Sequence, residues 1–210
     1  MDRSLLKNKS IYKSILITGA SGLLGRALVN QFAAKGFHVF GQYHENAPDG
    51  PENCEWIWAD FSSMTGIRDF LIENSLRFRQ CGYLVNNYGP ITYKSILDLT
   101  ADDFYFDFHH NVITAFEITS FFIKNTKLES VVNIGFEYVG AVKSYKNILT
   151  YAAAKNALQL MTNSFATTYQ SIRFHMVSPC TLIGANIREY GKKQVSPESV
   201  AKNVYKTIMK

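Results

Sequence analysis

Cysteine is scarce in this sequence. The 210 residues hold three, Cys54, Cys81 and Cys180, scattered without paired or metal-ligand spacing. That excludes a disulfide-stapled scaffold and a zinc module, and it fits a reducing compartment. Proline is also rare, at five residues, and charged residues make up only 19%. Long apolar runs are missing: none approaches the roughly 20 residues a membrane helix needs. The basic start, Met1 to Ser14, leads only into the brief apolar run Ile15 to Ile17. A secretory signal needs a longer one, so a cytoplasmic protein is expected. The formal net charge of +5 is spread along the chain, densest at Lys7, Lys9 and Lys13 and at Lys192 and Lys193. Without a basic stripe, no nucleic-acid or membrane partner is expected; a solvated surface and an anionic cofactor account for the balance.

What is present is a core. Hydrophobic residues make up 47% of the chain, and the length suits one α/β domain over residues 1–210. Short apolar runs alternate with longer helical stretches. Strands are predicted at Ser14–Thr18, His38–Tyr43, Trp56–Ala59, Tyr83–Asn86, Val131–Gly135 and Ile172–Ser178. Helices are predicted at Gly22–Lys35, Thr65–Ser75, Thr100–Lys124 (in one or two parts), Leu149–Tyr169 and Ser196–Met209. Ser196 is the N-cap of the last, with Pro197 in its first turn. Glu45–Asn53, rich in Pro, Gly and Asn, reads as a loop. The alternation implies a doubly wound parallel sheet covered on both faces, a three-layer α/β/α Rossmann architecture. No repeat or linker is visible.

The first strand runs into Thr18-Gly19-Ala20-Ser21-Gly22-Leu23-Leu24-Gly25 and then a helix. A tight strand-to-helix turn needs Gly19. Close backbone approach to a pyrophosphate suits Gly22, and helix-on-strand packing favours Gly25. The helix N-terminus then aims free N–H groups and its dipole at the phosphates. The second strand ends at Gln42-Tyr43-His44, where an NAD site usually carries Asp or Glu; Glu45 comes slightly late. His44, Ser21 and Arg26 could instead meet a 2′-phosphate, so NADP(H) is preferred over NAD(H).

Tyr151 and Lys155 lie four apart on one predicted helix face and form the sole Tyr-x-x-x-Lys in the chain. A nearby ammonium lowers the pKa of a phenol. A phenol so tuned passes a proton to or from a carbonyl or alcohol oxygen while hydride moves at a nicotinamide.

With these residues in this order, the chain resembles the short-chain dehydrogenases/reductases over nearly its whole length. The resemblance implies a cofactor site at Gly19, Ser21, Gly22, Leu24 and Gly25. It implies Asp60 near the adenine ring. Asn86-Asn87-Tyr88-Gly89 is similar to the family's sheet-stabilising motif, which would place Asn87 and Gly89 beside the cofactor. Val177-Ser178-Pro179 is similar to the segment bordering the nicotinamide. Tyr151 would be the general acid/base, and Lys155 would hold the nicotinamide ribose. Asn111 would support a relay water. The implied activity is hydride transfer between NAD(P)(H) and a small carbonyl or alcohol substrate, by a homo-oligomer (dimer or tetramer). A nucleotide-binding protein without turnover, acting as a sensor or partner subunit, is the alternative.

The sequence departs from the family twice. The serine that bonds substrate oxygen is missing: by motif Gly135 or Phe136 takes its place, by spacing from Tyr151 it is Tyr138, and Ser144 qualifies if the loop folds back. A Tyr138 hydroxyl is also an O–H donor. The segment Thr181–Val195 is short, Cys180 replaces a glycine, and the customary last strand is missing. The pocket is therefore expected to be open or completed by a partner subunit. Cys180 is expected to be a small buried residue. Adjacent His109 and His110 diverge on a helix, and no metal site is expected.

Overall fold

The computed structural model describes residues 13–137, 146–185 and 193–210. In chain order the elements begin β1 (Ser14–Ile17), α1 (Leu23–Ala33), β2 (His38–Tyr43), β3 (Cys54–Trp58), α2 (Met64–Glu73), α3 (Ser75–Phe78) and β4 (Tyr83–Asn86). There follow α4 (Ala101–Phe108), a π-helical turn (His109–Ile113), α5 (Thr114–Asn125), β5 (Ser130–Ile134), α6 (Leu149–Thr168) and β6 (Arg173–Val177). The described chain closes with β7 (Thr181–Leu182), β8 (Gln194–Val195) and α7 (Pro197–Ile208).

Six strands form one parallel sheet in the order β3-β2-β1-β4-β5-β6. Strand residues alternate between its faces. Ile15, Ile17, Val39 and Val85 pack with Phe32 of α1 and Val204 of α7 on one side. Leu16, Phe40 and Leu84 pack with Phe70 of α2 and Phe122 of α5 on the other. Both faces are buried, which is why the strands read as continuous apolar runs rather than as alternating ones. The chain leaves β1 toward one edge and β4 toward the other, so the carboxyl ends of these neighbours flank a crevice.

Each strand and long helix expected from the sequence is present, with ends shifted by a few residues. β3 begins at Cys54, two residues before the predicted start, because Cys54 already pairs with Val39. The helix expected over Thr100–Lys124 is held by a capping box between Thr100 and Asp103, and it widens to a π turn at His109–Ile113. Two features were not anticipated. Asn74 breaks the run after α2 and starts the single turn α3. The segment after Pro179 makes the two-residue parallel pair β7–β8 instead of staying irregular.

Candidate active site

The glycine turn sits at the end of β1. Gly19 has φ of 60°, a left-handed conformation that favours glycine. A Cβ on Gly25 would run into the Ala20 backbone, so α1 can start this close to β1 only with glycine there. Gly22 is the N-cap of α1, has no side chain to cap it, and the first turn carries no acidic residue. The free N–H groups of that turn therefore suit an anion brought from outside.

Neighbouring polar groups lock the turn. The buried Thr18 Oγ1 accepts the backbone N–H groups of Asn87 and Tyr88, each at 3.0 Å. The Asn87 carboxamide donates to the carbonyls of Thr18 and Gly19, both at 3.0 Å. Gln42 belongs to this lock, although sequence motifs do not single it out. Its side-chain oxygen accepts the Gly19 N–H at 2.8 Å, and its amide donates to the Ala59 carbonyl at 2.9 Å. The available signal is an amide residue near the end of an apolar strand. Asn86 works deeper: its carboxamide donates to Thr119 and to Asn133, which donates on to Thr162. This chain of bonds crosses from β4 through β5 to α6, fastening the helix that carries Tyr151 and Lys155.

Two connected hollows open over these elements. A groove of about 560 Å³ is lined by Gly19, Ser21, Gly22, His44 and Gln42. A cavity of about 250 Å³ is lined by Ile91, Phe136, Ile148, Tyr151, Lys155 and Pro179. Leu24, Asn87 and Gly89 line both. Gly25 lies buried beneath the turn. Asp60 stands beside the groove, with one oxygen 3.8 Å from His44 Nε2 and bonds from the Ser62 N–H and hydroxyl. Those bonds, chiefly the Ser62 N–H, hold the Asp60 carboxyl below its ordinary value. Arg26 donates through Nε to the Ser21 carbonyl.

Asn111 lies in the π turn behind Gly89. Its amide donates to the carbonyls of Pro90 and Asp107, at 3.0 and 3.1 Å. Its buried side-chain oxygen has no protein partner. An orphaned buried acceptor fits a bound water or ligand group there. Lys155 donates to the Ile134 carbonyl at 2.8 Å, and its Nζ is 5.5 Å from the centre of the Tyr151 ring.

The expected lowering of the Tyr151 pKa is not what this geometry gives. Burial, then the negative charge of Asp107, pushes the phenol above its ordinary value. Burial drops Lys155 to about 7, with Asp107 opposing the fall. The phenol is thus held protonated beside a lysine that is readily neutralised, because desolvation outweighs the attraction between the two.

At the candidate serine positions, Gly135 and Phe136 line the cavity, and the Phe136 ring packs 5.6 Å from the Tyr151 ring. Tyr138 and Ser144 lie outside the described residues. Cys180 also differs from expectation. It is half-buried and lines the cavity rather than the core. Burial, then Glu137, raises its pKa, so it is not an activated thiolate. His109 and His110 bond the carbonyls of Phe61 and Phe106. No cluster of three His, Cys, Asp or Glu suited to a metal occurs among the described residues. No helix among them is long and apolar enough to cross a membrane.

The sheet order and the glycine turn at its switch point define a dinucleotide-binding architecture. The profile of the short chain dehydrogenase family matches residues 13–194, and the chain belongs to that family of oxidoreductases. A tropinone reductase homolog of Arabidopsis thaliana is 26% identical over 183 residues, covering 81% of this chain and 69% of that protein. An uncharacterized oxidoreductase of Thermotoga maritima is 26% identical over 214 residues, covering 93% and 82%. Among solved structures, a short-chain dehydrogenase/reductase of Serratia marcescens superposes with a TM-score of 0.81 at 20% identity, covering 93% of this chain and 90% of that one. An NADH-dependent reductase complexed with NAD gives 0.79 at 19% identity, covering 94% and 88%.

Proposed function

We propose that this chain is a cytoplasmic, single-domain oxidoreductase that interconverts a small carbonyl compound and its alcohol with NADP(H), or secondarily NAD(H). The observation that carries the reading is the junction of the two hollows. The Tyr151–Lys155 pair faces a cavity that continues, past Leu24, Asn87 and Gly89, into the groove over the glycine turn.

The pyrophosphate would lie on the N-terminus of α1, over Gly19, Ser21 and Gly22. The adenosine end would lie toward His44 and Asp60, and the nicotinamide end toward Gly89, Pro179 and Lys155. A bound nicotinamide supplies or accepts the hydride. Tyr151, held protonated by its surroundings, gives its phenolic proton to the carbonyl oxygen in the reductive direction. Lys155 holds the ribose and replenishes the proton path, with Asn111 ordering a water at its orphaned oxygen. Ile91, Ile148 and Phe136 give the reacting centre an apolar wall. Purified protein is tested with NADPH or NADH and a panel of small ketones and aldehydes. Loss of reduced-nicotinamide absorbance that Tyr151→Phe abolishes, with nucleotide binding retained, supports the reading. Turnover unchanged in Tyr151→Phe sinks it.

The Phe136 ring against Tyr151 favours a second reading, nucleotide binding without turnover in a sensor or partner subunit. Losing an oxyanion donor commonly costs about 10²–10³ in rate. If Tyr138 does not replace the serine, calorimetry finds tight NADPH binding while the carbonyl panel stays silent.

Homo-oligomerisation is part of the proposal. Tyr105, Phe116 and Leu160 of α4, α5 and α6 leave large apolar side chains exposed. Sedimentation at equilibrium tests it, and a monomer at all concentrations contradicts it.

A further inference from the structure

α6 begins without the usual devices. Its N-cap is Ile148, no side chain caps it, and its first turn has no acidic residue. Yet a 20-residue helix presents free N–H groups and a positive dipole end there. The negative group comes instead from α4. Asp107 is completely buried, and its Oδ2 accepts the hydroxyl of Thr150 at 2.5 Å. Thr150 is equally buried and immediately precedes Tyr151. The other oxygen, Oδ1, accepts the backbone N–H of Thr92 at 3.3 Å, in the loop that follows Gly89. The main-chain carbonyl of Asp107 receives the Asn111 carboxamide. One residue thus joins α4, the loop after β4, the start of α6 and Asn111.

We propose that Asp107 is a positioning residue for the Tyr151–Lys155 pair: its buried carboxylate anchors the first turn of α6 through Thr150 and supplies a negative charge within electrostatic reach of Lys155. The inference rests on that pair being the reactive one. Lys155 is 2% exposed, and it donates its hydrogen bond to the neutral carbonyl of Ile134. A buried ammonium without a counter-charge is strongly disfavoured. Asp107 lies within electrostatic reach of both members of the pair and supports the charged form of Lys155 and the neutral form of Tyr151. These are the forms a proton donor for carbonyl reduction requires.

Other titratable groups surround the pair and Asp107: Glu137 and Cys180 line the cavity with Tyr151 and Lys155, and Tyr88 packs against His110. On its own helix and the π turn, His110 bonds the Phe106 carbonyl, and His109 bonds that of Phe61. Burial keeps His110 below its ordinary pKa. Asp103, one turn earlier, is paired with Lys94 of the loop at 2.7 Å. From α6 come Tyr151 and Lys155, and β5 contributes no charged side chain.

The test uses the full chain without nucleotide, its lysines carbon-13 labelled at Cε. The Lys155 signal is assigned by its loss in Lys155→Met. Asp107→Asn keeps the shape and removes the charge, so the Lys155 titration midpoint should fall by about one pH unit or more. Thr150→Val keeps the charge and removes the anchor. It should leave the midpoint within about 0.3 units while lowering kcat roughly tenfold, through misplacement of Tyr151. Thr150→Ser restores kcat. A Lys155 midpoint unmoved in folded Asp107→Asn overturns the proposal. If Asp107→Asn does not fold, the Thr150 pair decides: Val equal to wild type in kcat overturns it, and Val impaired with Ser rescued upholds it. Should no carbonyl substrate turn over, the functional reading fails but the lysine titration still answers the Asp107 question.

Discussion

The Asn111 carboxamide oxygen occupies the space that any side chain on Gly89 would need, and Lys155 Nζ lies 3.1 Å from the same point. The backbone after β4, the π turn and α6 therefore meet at one place, with the orphaned oxygen of Asn111 at the junction. A glycine here is a spacing device rather than a turn. It lets the Asn111 amide reach the Pro90 carbonyl while Lys155 reaches that of Ile134.

Gly89→Ala should consequently be damaging although it adds one methyl group. The neighbour is a buried, doubly bonded carboxamide, so it cannot swing aside without breaking its bonds to Pro90 and Asp107. Overpacking of this kind costs about 1–3 kcal/mol. The denaturant midpoint should fall by the corresponding amount with no change in slope. Turnover should drop more than stability suggests, by roughly 100-fold, because Lys155 is displaced with Asn111.

Gln42 makes a second, separable prediction. Its amide spans from the Gly19 N–H to the Ala59 carbonyl, tying β2 to the glycine turn and to the end of β3. Gln42→Leu fills the space but leaves a donor and an acceptor unpaired, each costing about 1–3 kcal/mol. Gln42→Glu keeps the acceptor for Gly19 and loses the donor to Ala59. Calorimetry with NADPH should show a weakened Kd for Leu. Glu, which also brings a buried negative charge into the groove, should lose at least as much. Equal affinities in all three proteins would separate Gln42 from the nucleotide site.

The pH dependence of stability follows from Lys155. Its folded pKa is about 7 because of burial. The unfolded value is about 10.4. Between these values the unfolded chain binds the proton and the folded one does not, so ΔG of unfolding rises with pH, by at most about 1.4 kcal/mol per pH unit. Below pH 7 both states are protonated and this slope vanishes. Tyr151 is shifted upward, so its contribution is present through this window and is lost only above its ordinary pKa near 10. Denaturant melts of nucleotide-free protein from pH 6 to 10 check this. The increase seen in wild type should disappear in Lys155→Met. A similar increase in both proteins would assign it to other groups.

How much of this is legible in the sequence depends on whether a residue acts through local pattern or through long-range contact. The six strands and the turn at Gly19 are legible because apolar runs buried on both faces and glycine at fixed spacing are local signals. The Tyr151–Lys155 pair is legible for the same reason: four residues on a helix share a face. Its electrostatics are not. Spacing shows that an ammonium lies near a phenol, but burial decides both pKa values, and α4, β5 and the loop after β4 impose that burial from far away in sequence. Gln42 and Asp107 escape a sequence reading likewise. Gln42 reaches Gly19 across 23 positions, and Asp107 reaches Thr150 across 43. Neither makes a motif, and only the folded chain turns a stray polar residue in an apolar stretch into a clamp.

Cofactor choice is the last prediction, and it turns on His44. β2 ends at Tyr43, so His44 is the first residue past the strand, exposed at the groove and 3.8 Å from Asp60. In a doubly wound fold this is where the adenosine ribose is read: a carboxylate accepts the 2′-hydroxyl of NAD, and a cation receives the 2′-phosphate of NADP. Only an uncharged or cationic group at this position tolerates the phosphate. His44→Asp puts a carboxylate beside that of Asp60, so NADPH should bind about 100-fold more weakly while NADH binds as well or better. His44→Ala separates the two effects. It should lose part of the NADPH affinity without gaining any for NADH. If the ratio of the two Kd values stays within about twofold across all three proteins, the 2′ position lies away from His44, and the preference for NADP(H) loses its physical basis.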